Sequence, residues 1–257
     1  KGRRKPLHAL RGQEAPSMAK RTVVVVDSPA EVPKAPVDGK PTAVYWNICG
    51  LGQKVRLALE LAGADYVDVR IQPGEAGSAE YKKVWMDAKP NMVDVFAMPN
   101  LPYYMDADAQ TVQTGAILRH IARTYGLCGD SLSKFDFVLD QATDFDQEST
   151  RMSYANAPGL KDYLIKDLPS RLSGWTRVLG EQHFMTGSQV TVADISVYET
   201  FRKLKIMESE FGTSTFAQYP AINAFVGRIE ALPAVSAYMQ SAEFMARPMN
   251  NPHAGYR

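Results

Sequence analysis

Along residues 43–125 the apolar positions switch between a period of two and a period near 3.6. Ala43–Ile48 is β-branched and aromatic and predicts a strand. From Gln53 to Leu61, Val55, Ala58, Leu59 and then Ala62 share one helical face. Tyr66–Ile71 alternates, with Val67, Val69 and Ile71 on one side, and predicts a second strand, followed by a loop over Gln72–Ser78. Tyr81–Ala88 predicts a short helix carrying Trp85. Pro102–Asp106 and Thr111–Gln113 predict strands flanking an Asp-Ala-Asp turn. Gly115–Tyr125 predicts a helix, with Ile117, Ile121 and Tyr125 in register.

That order, βαβαββα, predicts a small α/β layer of thioredoxin-like type over residues 43–126. Residues 131–245 show no strand pattern and predict an all-α domain, punctuated by Pro158-Gly159, Gly187, Gly212 and Pro220. Within it Thr191-Val192-Ala193-Asp194 has the form of a capping box: the Thr191 hydroxyl can accept the Asp194 N–H while Asp194 reaches back. Residues 246–257 predict a tail wrapping over the surface. Residues 1–42 are proline-rich, start basic and hold little periodicity beyond Val23–Val26, so they predict an irregular N-terminal extension, either a leader or an anchor.

Composition narrows the classes. With 257 residues, 45% hydrophobic, the chain can bury a sizeable core. The formal net charge of +1 is uneven, because residues 1–22 carry seven Lys or Arg against one Glu. The body is therefore slightly acidic and has no basic surplus for nucleic acid. No apolar run is long enough to span a bilayer. Two cysteines, Cys49 and Cys128, do not make a disulfide framework, and a cytoplasmic setting is the default, although the basic, acid-poor start also suits an organellar transit segment. The four histidines lack metal spacing. Gly50-Leu51-Gly52 with Val55 is an incomplete dinucleotide fingerprint, and Asp144, Asp146 and Glu148 lack the central glycine of a calcium loop.

Several motifs recur together. They are Tyr45-Trp46-Asn47-Ile48-Cys49-Gly50-Leu51, Asn100-Leu101-Pro102-Tyr103, Gln113-Thr114-Gly115-Ala116-Ile117-Leu118-Arg119, Leu127-Cys128-Gly129 and Ser236-Ala237-Tyr238-Met239 through Arg247-Pro248. Together they resemble the mu-class cytosolic glutathione transferases over roughly residues 43–250. The resemblance implies a thiol site built for glutathione and a small electrophile, in a homodimer. A free thiol with a pKa near ~8.5 is only a few per cent thiolate at neutral pH, and Tyr45 is by resemblance the hydroxyl that stabilises the thiolate. Taken alone, Tyr45 also reads as a tyrosine packed in a sheet.

The resemblance likewise places glutathione against Trp46, Leu51, Lys82, Trp85, Lys89, Asn100, Leu101, Pro102, Gln113 and Thr114, with the γ-glutamyl carboxylate at Gln113-Thr114 and the glycyl end at Trp85 and Lys89. It implies a cis Leu101–Pro102 bond. Thr114 alone is explained equally well as a helix N-cap. Asp146 is expected to reach the partner's glutathione, and Tyr154 and Asn156 to line the second-substrate pocket. Departures from the family pattern are Lys82 for Arg, Thr114 for Ser, Cys49 for Arg, Asn156 for a second tyrosine and Met98 for the aromatic key of the dimer. A transferase-like docking subunit of a larger assembly and a glutathione-dependent isomerase stay open as alternative readings.

Overall fold

The computed structural model of the chain describes residues 18–257. One five-stranded sheet has the order β1-β3-β2-β4-β5. Strands β1 (Lys20–Val26), β2 (Thr42–Trp46) and β3 (Asp65–Ile71) run parallel. Strand β4 (Tyr103–Met105) is antiparallel to β2, and β5 (Gln110–Val112) antiparallel to β4. Alternation sorts the side chains onto two faces. Ala43, Tyr66 and Tyr104 join the core shared with α1 (Gly52–Leu61) and α3 (Thr114–Thr124). Val44, Val67, Val69 and Ile71 join a second core with Trp85 and Ala88 of α2 (Lys83–Ala88).

The helical half comprises α4 (Leu132–Ala155), α5 (Leu160–Lys166), α6 (Leu168–Leu179), α7 (Val192–Phe211), α8 (Pro220–Glu230) and α9 (Pro233–Gln240). Helix α7 is its axis. Phe201 meets Phe145, Trp175, Phe216 and Phe225 at ring-centroid distances of 5.7–6.2 Å. The capping box at its start is formed, and Asp194 additionally accepts the Met185 N–H at 2.6 Å and the Thr186 hydroxyl at 2.8 Å. The cap therefore fixes the preceding loop as well as the helix end.

Two elements differ from the sequence reading. The first is the extension: the valine run is strand β1, paired with β3 from Lys20↔Asp65 to Val26↔Ile71. Four consecutive valines show no alternation, so period alone hides a strand that β-branched stiffness favours. Residues 20–42 are anchored on the chain's own body. Arg21 pairs with Glu60 and Glu243 and lies over the Tyr238 ring, while the Tyr103 hydroxyl donates to the Pro33 carbonyl. The expectation of a leader or anchor in residues 1–17 lies outside the described residues.

The second is α1. Its pattern predicts one apolar face, yet all ten residues are buried. The polar face is covered by the helical half and by β1, and its charged side chains find partners. Lys54 meets Asp146, Arg56 meets Asp68, and Glu60 meets Arg21 and Tyr66. Such groups are tolerated inside only when paired.

Candidate functional site

Strand β2 delivers Tyr45 to the turn leading into α1. The phenol lies against that turn so closely that a Cβ at Gly50 would stand 2.7 Å from the Tyr45 hydroxyl, and one at Gly52 2.5 Å from ring Cδ1. Glycine at these two positions is what admits the ring, and Gly50 also takes a φ of 40°. Arg56 braces the turn from within: its guanidinium donates to the carbonyls of Ile48 at 2.9 Å and Trp46 at 3.3 Å while pairing with Asp68. Burial pushes the Tyr45 hydroxyl up to about 12; the Leu51 N–H aimed at it and Arg56 pull the other way, and Tyr154 and Asp146 add to the rise. Tyr45 is thus a neutral O–H donor throughout the physiological range.

A second feature lies at the start of α3. Gln113, rather than Thr114, occupies the N-cap, at φ 72° and ψ 116°, and among the described residues no side chain caps the helix. The Thr114 hydroxyl is buried without a partner among the described residues. An uncapped helix N-terminus with an unpartnered buried hydroxyl suits a carboxylate. Nearby in sequence, Leu101 and Pro102 are buried and joined by a cis bond, whereas Asn100 is exposed.

The other expected residues sort by burial. Trp46 is in the sheet core. Leu51 is 37% exposed beside Tyr45. Trp85 packs against Tyr103 at 6.0 Å and gives most of its ring to the core. Lys82 precedes α2 in the left-handed region, φ 60°, with its amine 4.9 Å from the Tyr81 ring, and Lys89 is half-buried.

The tail closes over this region. The N–H groups of Cys49 and Gly50 donate to the carbonyls of Pro248 and Met249 at 2.8 and 3.0 Å. Farther along, the Asn251 N–H donates to the Tyr154 hydroxyl at 2.8 Å. His253 lies 4.9 Å from the Tyr154 ring and 5.4 Å from the Tyr81 ring, and its Nδ1 bonds the Tyr81 hydroxyl. The tail thereby bridges the β2–α1 turn, the end of α4 and the residues before α2. Asn156 is exposed and folds over Gly159 instead.

The family model described as "Glutathione S-transferase, N-terminal domain" matches residues 41–123, and "Glutathione S-transferase, C-terminal domain" matches residues 143–242. The chain is 33% identical over 214 residues to Glutathione S-transferase Mu 5 of Mus musculus, covering 82% of this chain and 92% of that protein. It is 36% identical over 211 residues to a glutathione S-transferase of Tyrophagus putrescentiae, covering 80% and 93%. The solved Pi-class glutathione S-transferase of Onchocerca volvulus superposes with a TM-score of 0.70 at 25% identity, over 84% of this chain and 99% of that one.

The chain belongs to the glutathione S-transferase family. Its relatives place it on the mu-like side, and membership makes glutathione transfer its activity and glutathione its co-substrate.

In this transferase Asp146, like Asn156, stands away from its expected place. Asp146 is 2% exposed and pairs with Lys54 at 3.1 Å and with Lys203. Burial alone would raise its carboxyl, but Lys203 and Lys54 hold it at about 2. It joins α4 to α1 and α7 and does not reach the surface toward a partner's ligand. Conversely, sequence reasoning missed Arg56, Asn251 and His253. Arg56 is legible only once Asp68 is known to face it. The Asn251 and His253 contacts span 97 and 172 residues, and the tail carries no period that would announce them.

Proposed function

We propose that Tyr45 donates its hydroxyl proton in a hydrogen bond to the sulfur of bound glutathione, and that the stabilised thiolate attacks an electrophilic carbon between the two halves. The observation that carries this is the neutral, buried Tyr45 hydroxyl held against the Gly50–Gly52 turn, with the Leu51 N–H beside it. Lowering a thiol pKa by ~2 units requires about 2.7 kcal/mol of preference for the thiolate, which hydrogen bonds to a charged acceptor in a partly dry site can supply in large part.

The γ-glutamyl carboxylate sits at the uncapped start of α3, where the Thr114 hydroxyl and the free N–H groups await an acceptor. The Leu101 backbone aligns the cysteinyl part, and Lys82 and Lys89 neutralise the glycyl carboxylate, with Trp85 offering an edge. Leu51 and Tyr154 flank the electrophile, and the tail at Asn251 and His253 roofs it. The relatives are named as transferases, which favours this reading over a docking subunit. A homodimer through the face bearing Met98, 80% exposed, belongs to the same proposal. Free Cys49 and Cys128 support a reducing, cytoplasmic setting.

The test is the ultraviolet thiolate absorbance of bound glutathione against pH in the wild type and in Tyr45→Phe. Ionisation well below the free thiol's pKa, moved back by one to two units in the variant, is expected. Identical titrations would remove Tyr45 from the mechanism.

A further inference from the structure

Strand β1 ends the sheet. The Lys20 N–H donates to the Ala64 carbonyl and the Val26 carbonyl accepts the Gln72 N–H, both at 2.9 Å, so the even-numbered residues bond to β3. Parallel pairing then turns the backbone N–H and C=O groups of Arg21, Val23 and Val25 outward, and among the described residues no strand pairs with them. Val24 is 37% exposed and Val25 52%. Soluble proteins blunt such edges with charge, proline, a bulge or shortness. Seven-residue β1 has none of these between Thr22 and Val26.

We propose that this edge is an interaction surface for a second copy of the chain, whose β1 adds to it antiparallel across a two-fold axis at Val24. A two-fold axis makes the contact self-complementary. The outward groups restrict register, because odd-numbered residues must face odd-numbered ones to exchange hydrogen bonds. An axis at Val24 sets Val23 opposite the partner's Val25, Val24 opposite the partner's Val24, and Thr22 opposite the partner's Val26. It also sets Arg21 opposite the partner's Asp27, so the basic start of each strand, Lys20-Arg21, meets the acidic end of the other. An axis at Val23 or Thr22 leaves Asp27 beyond the paired strand and forfeits that match. Arg21 is already shared by Glu60 and Glu243, whereas exposed Lys20 and Asp27 form no ion pair among the described residues. The surface shares no residue with the thiol site or with the Met98 face, so it would join copies whether or not that face also pairs.

The experiment uses the full chain with Cys128→Ser, carrying either Val24→Cys or Thr22→Cys. Opposed residues in a non-hydrogen-bonded antiparallel pair have Cα atoms roughly 4.5 Å apart, within disulfide reach. Two Thr22 positions would lie roughly 14 Å apart, out of reach. Mild oxidation is expected to cross-link the Val24→Cys chain and leave the Thr22→Cys chain single on a non-reducing gel. By light scattering, Val24→Lys, which opposes two ammonium groups at the axis, is expected to halve the wild-type mass while glutathione-transferring activity stays unchanged. Equal masses without a cross-link at Val24 would overturn the proposal. So would cross-linking at Thr22 as readily as at Val24. Cross-linking that appears only once residues 1–17 are removed would overturn it too, since the chain's own N-terminus would then be the occupant of the edge.

Discussion

The proposed thiol site rests on two hydroxyls that stand in opposite states. Tyr45 is surrounded: the glycines hold its ring and the Leu51 N–H holds its oxygen. The Thr114 hydroxyl is buried and has no partner among the described residues. An orphaned buried hydroxyl costs free energy in the empty protein, about 1–3 kcal/mol, and returns it when a ligand supplies the partner. Thr114→Val should therefore move two quantities in opposite directions. The KM for glutathione should rise about tenfold, equivalent to ~1.4 kcal/mol, while the denaturant midpoint of the free protein stays level or rises. Thr114→Ser should restore the wild-type KM. Steady-state kinetics and urea unfolding of the three proteins check this; a loss of stability in Thr114→Val without a change in KM would mean that the hydroxyl serves the fold. Both residues enter as site candidates through the family resemblance, whereas local pattern alone reads Tyr45 as a sheet tyrosine and Thr114 as an N-cap. Only the structure passes the cap to Gln113 and leaves the Thr114 hydroxyl without a partner among the described residues.

Among the elements, those with a period were readable and those without one were not. The alternation of Tyr66–Ile71 and the helical faces of α1 and α3 lie where the sequence puts them. The valine run of β1 has no alternation, the polar side of α1 reads as solvated until its ion pairs are seen, and the tail has no pattern at all. Beyond Met249 the tail is held by the Asn251 N–H on Tyr154, by His253 between Tyr81 and Tyr154, and by Tyr256, whose N–H donates to the Ser153 carbonyl and whose hydroxyl bonds Glu210. Burial, and then the nearby Lys82 cation, lower the pKa of His253, so the docked tail prefers the neutral imidazole. A lowered pKa means that docking is intact above the ordinary histidine value near ~6.5 and weakens as pH falls through the docked value. Hydrogen exchange at the Asn251 amide, corrected for the intrinsic pH dependence of exchange, should show protection that is constant at pH 7–8 and declines toward pH 5. In His253→Ala that decline should vanish and protection should be lower throughout. Protection independent of pH in the wild type would show that His253 does not govern the closure.

For the molecule as a whole, the two halves are joined at α1 by a buried cluster with one carboxylate and two amines. Lys54 of α1 and Lys203 of α7 both pair with Asp146 of α4, and all three are nearly sealed from solvent. With both amines charged, the cluster of one carboxylate and two amines carries a net charge of +1. Burial and Lys203 lower the pKa of the Lys54 amine, while Asp146 and Glu199 oppose them. Removing the carboxylate should be far worse than removing that amine. Asp146→Asn leaves two buried ammonium groups uncompensated and should cost about 3–5 kcal/mol, whereas Lys54→Met leaves one matched pair and should stay within about 1 kcal/mol of the wild type. In the Lys54→Met background Asp146→Asn should cost less than it does alone, because a single amine is then stranded. The acid side follows from the Asp146 carboxyl, held at about 2 against ~3.9 in an unfolded chain. A depressed carboxyl contributes stability that is present above the unfolded value and lost as pH falls from about 4 through about 2, and Asp146→Asn should lack that component of the acid transition. Chemical unfolding of the variants between pH 2 and 7 reads all of these at once. Because Lys54 lies two residues beyond Gly52, which receives the Tyr45 ring, the same cluster seats the start of α1 beneath the Tyr45 hydroxyl. Asp146→Asn should therefore lower kcat even at temperatures where the protein remains folded, and an unchanged kcat there would show that the cluster holds the halves together without positioning the site.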